Sequence, residues 1–291
     1  MTMYPKREAF RTPPVVVVAA EARFTDSPRL RQKETLDAIA IALEGRFPFS
    51  EPLTGVDVQA VAPGMPAQLA PRQGILLRNA ERTQALTLTA TALTYETTDY
   101  TEFEVLHAAM GAASQALVDA QVAPELKRVG LRYIDEIRVD QPVTDARAWR
   151  TWIDASLLGP MDITPDHVPS AGIQGAVGFD LGGRGGLKVQ YASFTEGATT
   201  VPLHLRRRAF DPGPFFALDL DGFVEFGPDE SVRLDAGVVT DLLAKVHAPL
   251  GAAFQGSITD AARALFRGGA AGAINGSASP RHRSGSEPQI G

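Results

Sequence analysis

Val129-Gly130-Leu131-Arg132-Tyr133-Ile134-Asp135-Glu136-Ile137-Arg138-Val139 is the most strand-like run in the chain. A period of two sets Val129, Leu131, Tyr133, Ile137 and Val139 on one face, and Asp135 falls in line with them. A carboxyl on an apolar face must be paired, hydrogen-bonded or held protonated. Two readings fit. Asp135 is a buried residue whose accepted hydrogen bonds fix the turn toward Pro142, or it is an acid with a raised pKa of the kind used in catalysis. A bulge at Asp135 would turn it outward instead.

Upstream, Pro13 and Pro14 precede Val15-Val16-Val17-Val18, a β-branched run that suits a strand. Alternation gathers Val16, Val18, Ala20 and Phe24 on one face and Glu21 with Arg23 on the other. A helix follows, with Ser27-Pro28 at its start, Leu36, Ile39, Ala40 and Leu43 at helical spacing, and Gly45 after it. Because that helix must pack on something, Glu21 and Arg23 are expected beneath it. Gly74–Leu77 and Ala85–Tyr95 read as an antiparallel pair across Asn79-Ala80-Glu81-Arg82, with a bulge near Ala92 where the apolar parity changes. Thr101-Glu102-Phe103-Glu104 has the capping-box pattern and opens a long helix whose stripe includes Phe103, Leu106, His107, Met110, Ala113 and Leu117.

Downstream, Thr144 is placed to cap a short helix with Trp149, Trp152 and Ile153. A strand-rich stretch runs from Ile173 to Phe226, with turns at Gly182–Gly186 and at Asp211-Pro212-Gly213-Pro214. A closing helix carries Val239, Leu242, Leu243, Val246, Leu250 and Phe254, and Pro249 is expected to kink or divide it. The order of elements does not alternate as a doubly wound parallel sheet does. It predicts an α+β domain, largely antiparallel sheets on three or four amphipathic helices. Residues 13–267 form that domain, divisible into halves at 13–142 and 143–267. Residues 1–12 read as a flexible lead-in. Residues 268–291, rich in Gly, Ala, Ser and Arg, read as a disordered tail.

The 291 residues are 44% hydrophobic and 21% charged, ordinary globular values with a net charge of -6. The absence of cysteine removes disulfides, thiolate metal sites and cysteine nucleophiles, and with the short apolar run Val15–Ala20 it points to the cytoplasm and away from a membrane. No Gly-Lys-Ser or Gly-Lys-Thr, His-Glu-x-x-His or Gly-x-Ser-x-Gly motif occurs. Gly182–Gly186 joins two strands and lacks dinucleotide-loop spacing, so no cofactor is expected.

Phe216–Phe226 alternates so that Asp219, Asp221 and Glu225 share one face. Hard oxygen ligands of this kind hold Mg²⁺ or Ca²⁺, and an ordinary strand with a solvated acidic face shows the same pattern. His204 with Arg206-Arg207-Arg208, and Arg281-His282-Arg283 in the tail, are the basic clusters. Alternation splits the three arginines between faces, which disfavours a joint phosphate clamp and makes nucleic acid the weakest partner class. His107 and His247, each on or beside an apolar helix stripe, read as packed imidazoles.

Several segments together carry a resemblance: Pro13-Pro14-Val15 into Glu21-Ala22-Arg23-Phe24, Tyr100 before a Phe-bearing helix, Arg128–Asp135, Leu218-Asp219-Leu220-Asp221, then His247, Phe254 and Ile258-Thr259. From Pro13 to Phe266 the chain resembles a sporadically distributed bacterial family of unknown function. The resemblance implies no catalytic residue. Its members usually carry Asn at the position of Asp135, and their patchy distribution implies a mobile or phage-defence setting. The expectation is a non-catalytic binding or accessory protein that engages a protein partner or a small ligand. Its surface would involve Glu21, Arg23, Arg132, Asp135, Asp219 and Asp221. The alternative is a metal-dependent enzyme acting on phosphate esters or nucleic acid, with Asp219, Asp221 and Asp135 as ligands.

Overall fold

Two strands organise the chain in a computed structural model that describes residues 8, 10–59 and 68–268. They are β1 (Val15–Phe24) and β6 (Leu126–Arg138), which pair antiparallel at the centre of a sheet. On the far side of β1 come β5 (Ala92–Thr97), β4 (Gln84–Thr89), β3 (Gln68–Arg78) and β2 (Phe49–Gln59). Beyond β6 lie β9 (Phe215–Glu225), β8 (Gly185–Phe194) and β7 (Gln174–Gly182). Among the described residues the strands make one nine-stranded sheet, and every neighbouring pair is antiparallel. The α+β expectation is therefore met.

Register assigns the faces. Leu131 lies between Ala20 and Gly222, and Tyr133 between Val18 and Leu220. These inner positions form one core with α1 (Lys33–Leu43), α2 (Phe103–Asp119) and α4 (Ala236–Ser257), through Ile39, Leu106, Met110, Leu117, Val239, Leu243 and Leu250. A second cluster joins Ile137 and Phe216 to Trp149, Trp152, Ile258 and Phe266, capped by α3 (Ala155–Leu158) and α5 (Asp260–Phe266). The helix-free outer face carries Ala19, Glu21, Arg23, Arg128, Arg132, Asp219 and Asp221.

Several expectations change. The parity shift near Ala92 is a turn, since β4 ends at Thr89 and β5 returns from Ala92. The carbonyls of Ala90 and Thr91 accept from Ser27 and Phe24, which holds that turn against the end of β1. Asp145, not Thr144, caps the short helical segment before α3. The capping box does not close: α2 begins at Phe103, with no side-chain bond at its Glu102 cap. Pro249 does not divide α4, which runs unbroken to Ser257. Strand, helix, meander and helix recur from β1 and again from β6. One sheet spans both.

Of the segment 1–12, the described residues are seated on the body of the fold, and residues 1–7 and 9 lie outside the described residues. Phe10 packs edge-on against Phe254 and Phe266, Thr12 donates to the Phe266 carbonyl at 2.9 Å, and Glu8 pairs with Arg267 at 2.7 Å. Most of the expected 268–291 tail lies outside the described residues. Among the described residues no helix is long and apolar enough to cross a membrane.

Gly222, opposite Leu131, is the point where α4 comes down on the sheet. A Cβ there would lie 2.9 Å from Leu250 Cγ. Gly222→Ala is expected to cost about 1–3 kcal/mol in urea denaturation through overpacking. A change near zero would mean α4 yields freely.

Candidate functional site

The structure brings five of the six sequence-selected residues together on the outer face and puts the sixth on the other side of the sheet. Arg132 forms a two-pronged pair with Asp219 (2.7 and 2.6 Å), diagonal to its register partner Asp221. Arg128 runs along β6 and grips Asp221 at 3.0 and 2.9 Å. Its path crosses Gly130, where a Cβ would stand 2.6 Å from Arg128 Nη1, and its guanidinium lies 4.6 Å from the Phe223 ring centre. Glu21 bridges Arg23 (2.6 Å) and Arg128 (3.5 Å). This is a belt of matched ion pairs.

The belt corrects two expectations. Glu21 is not beneath a helix, because the helices of the main core occupy the opposite face. Its side chain is 23% exposed and Arg23 more so. Nor do Asp219, Asp221 and Asp135 converge as metal ligands: the first two are held by arginines, and Asp135 points to the inner face. Among the described residues no cluster of three His, Cys, Asp or Glu side chains is arranged to hold a metal ion.

The basic run is also used internally. Arg207 bonds Glu136 at 2.6 Å and the Thr199 carbonyl at 2.6 Å, while His204 meets Glu96 at 2.8 Å. Glu136, buried on the outer face beneath this crossing segment, also accepts from Thr199 N and from Arg138. These bonds outweigh its burial and hold its carboxyl below the usual range. The contacts of Glu136 with Arg207 and Thr199 are not legible in the sequence, because the partners are 71 and 63 residues away in the chain.

Asp135 follows the parity reading. Its ladder with β9 is unbroken opposite Leu218, and the bulge lies on β1 between Val15 and Val17. The side chain is 3% exposed, and Oδ2 has no hydrogen-bond partner. The expected bonds toward the turn at Pro142 are not made. Burial, with the charge of Asp219 behind the sheet, pushes the carboxyl up to about 8.

Asp135 lines a cleft of about 690 Å³ between the inner face of the sheet, the start of α2 and the second half of α4. Val15, Tyr133, Asp135 and Leu220 come from the sheet, and His247, Gly251 and Phe254 from α4. The Tyr133 hydroxyl lies 3.2 Å from both the Tyr100 hydroxyl and His247 Nδ1. Phe103 stacks flat on the imidazole, with ring centres 4.0 Å apart. With His247 protonated on Nε2, Tyr133 donates to Nδ1 and accepts from Tyr100. Glu8, Glu102 and Glu104 also border the cleft, and among the described residues its lining contains no Lys or Arg. Sequence reasoning treated His247 as a packed imidazole and did not connect it with the tyrosines. The shared parity of Tyr133 and Asp135 was the available signal.

Two expectations follow. Glu21→Ala should cost only about 0–1 kcal/mol in urea denaturation, as exposed pairs do, whereas Arg128→Ala, which strips Asp221 and Glu21 together, should cost about 1–3 kcal/mol. Equal losses would count against the belt.

For Asp135 the sign is fixed by its raised pKa. Below about 4 it is protonated folded and unfolded, and between 3.8 and about 8 only the folded state keeps the proton. Stability from this group therefore falls as pH rises through that window and levels above it. Relative to Asp135→Asn, wild-type unfolding free energy should decline from about pH 4 to about pH 8, as chemical denaturation across pH would show. Asp135→Leu, which removes an unpartnered buried group, should raise stability by about 1 kcal/mol at neutral pH. A loss of that size would reveal a partner for Oδ2. No family model and no curated protein matches this chain, so the site is read from its own geometry.

Proposed function

We propose that the chain is a non-catalytic binding protein whose small organic ligand occupies the cleft between the sheet and helices α2 and α4. The observation that carries this reading is the unpartnered, buried carboxyl of Asp135 in the cleft wall. A buried polar atom without a partner is costly, and a ligand donor is the group that would complete it. The volume lies within the range of about 300–1,000 Å³ typical of small-molecule sites, and the lining sets aromatic and aliphatic surface beside polar side chains that could orient a ligand. Binding is favoured over covalent catalysis because no described lining residue is Ser, Cys or Lys, and His247 Nδ1 is engaged by a tyrosine hydroxyl.

Gly251 supplies the test. It lies on the cleft side of α4, and a Cβ built there meets nothing within 4 Å. Gly251→Phe fills the cleft without a backbone clash and replaces a poor helix former. The neutral dye Nile red should show saturable fluorescence enhancement with the wild type and lose at least about tenfold in affinity with Gly251→Phe, while the thermal midpoint holds or rises. No saturable signal with the wild type, or equal signals from both proteins, would overturn the proposal.

A further inference from the structure

The two ends of the sheet are finished differently. At one end β2 carries Pro52, which has no amide hydrogen to offer, and Glu51, which pairs with Arg78. Proline and charge are the usual guards of a strand edge. At the other end β7 reads Gln174-Gly175-Ala176-Val177-Gly178-Phe179-Asp180-Leu181-Gly182, with one charge and no proline. Among the described residues β7 pairs with β8 alone. Phe179 stands opposite Leu187 and Val177 opposite Val189, so both continue the inner apolar face. Leu187 and Val189 are buried, whereas Val177 and Phe179 are 40% and 50% exposed.

The main chain of β7 is half used. Ser193 N donates to the Ile173 carbonyl at 2.9 Å, one step beyond the pair Gln174 and Ala192. Residues that exchange bonds across an antiparallel ladder alternate with residues that do not. Gly175, Val177 and Phe179 therefore direct their amides and carbonyls to β8, and Ala176, Gly178 and Asp180 direct theirs away from it. The irregularity between Asp180 and Gly182 lies at the hairpin turn, past these positions.

We infer that a second copy of the chain covers this edge, its β7 running antiparallel about a two-fold axis at Gly178. In that register Gly178 exchanges main-chain bonds with its own equivalent, and Ala176 with Asp180 of the copy. Val177 then faces Phe179 of the copy, and Phe179 faces Val177, at the positions where opposed side chains come closest. Aromatic and β-branched residues make favourable cross-strand pairs. The charge on Asp180 meets Ala176 and not a second carboxylate. The contact is isologous, so it closes at two copies, and each end of the joined sheet is then the guarded β2 edge. Nine residues a side is well below the roughly 20–30 of a standard interface, so the dimer is a weak one that forms at micromolar concentration.

Sedimentation velocity of the full chain tests this, and from about 1 to about 200 µM the wild type should pass from monomer to dimer. A Cβ built on Gly178 meets nothing within 4 Å, so substitutions there leave the monomer's packing alone. Gly178→Pro removes an outward amide without touching the ladder to β8 and should weaken association at least about tenfold. Gly178→Lys and Gly178→Glu each oppose like charges across the axis and should weaken it about fivefold, whereas an equimolar mixture of the two should recover the wild-type dimer. Thermal midpoints of the dilute proteins should stay close to that of the wild type. A wild type that remains monomeric throughout would overturn the inference and leave the edge to another occupant. Dimers that persist undiminished in Gly178→Pro would place the contact elsewhere and overturn it equally. Failure of the mixture to recover the dimer would overturn the register at Gly178.

Discussion

The pairing of β1 with β6 is the constraint on which the other placements depend. Their antiparallel register sets Val18 beside Tyr133 and Ala19 beside Arg132, so one residue of slip would exchange the inner and outer faces of the central strands. With that register, apolar side chains of β1, β6 and β9 meet the helices, while arginines and carboxylates alternate on the open side. The same register carries Asp135 inward with its neighbours. Its burial follows from the strand around it: Val129, Leu131 and Ile137 are fully buried at the same parity, and the backbone cannot hide them and expose Asp135 without a bulge on β6.

The two faces treat charge in opposite ways. On the outer face each carboxylate of the belt has an arginine within reach, and the pairs are partly solvated, so the belt is individually weak and collectively neutral. Four basic groups (Arg23, Arg128, Arg132 and Lys188) meet four acidic ones (Glu21, Asp219, Asp221 and Glu225), which leaves no excess of either sign to draw in a charged partner. Inside, the buried carboxyl of Asp135 faces the cleft with no hydrogen-bond partner for Oδ2, and its solvation loss is answered by keeping a proton. A charged face draws the eye in a sequence, but here the chemically unfinished group is the one hidden among apolar residues.

What was legible in the sequence was local. The strand at Val129–Val139, the inward parity of Asp135, the hairpin at Gly182–Gly186 and the stripes of α2 and α4 all rest on alternation or helical spacing within about a dozen residues, and all appear in the structure. The errors were failures of range. Ala85–Tyr95 looked like one bulged strand because a tight turn and a bulge shift parity alike, and only the contact with Ser27 and Phe24 distinguishes them. A helix directly after β1 suggests cover for Glu21, but the register of β1 against β6 decides the side and leaves that face open. The cleft joins residue 8 to residue 255, and no pattern within one segment announces it.

Pro249 and Gly251 show how the cleft can exist within a well-packed fold. The first half of α4 is anchored by Val239, Leu243 and Val246, each buried against the sheet. Leu250 continues that stripe onto Gly222, where the missing side chain lets the helix sit close. On the neighbouring side of the same turns, His247, Ala248, Gly251 and Ala252 face the space above Tyr133 and Asp135. Larger apolar residues there would close the gap and bury more surface, the usual direction in which a core gains stability. The short residues forgo that gain where the sheet presents an unpartnered carboxyl. Both features lower the stability of the empty fold, and both would be relieved by one occupant that fills the volume and donates to Oδ2. That coincidence is the physical basis of the proposed binding role for the cleft and Asp135.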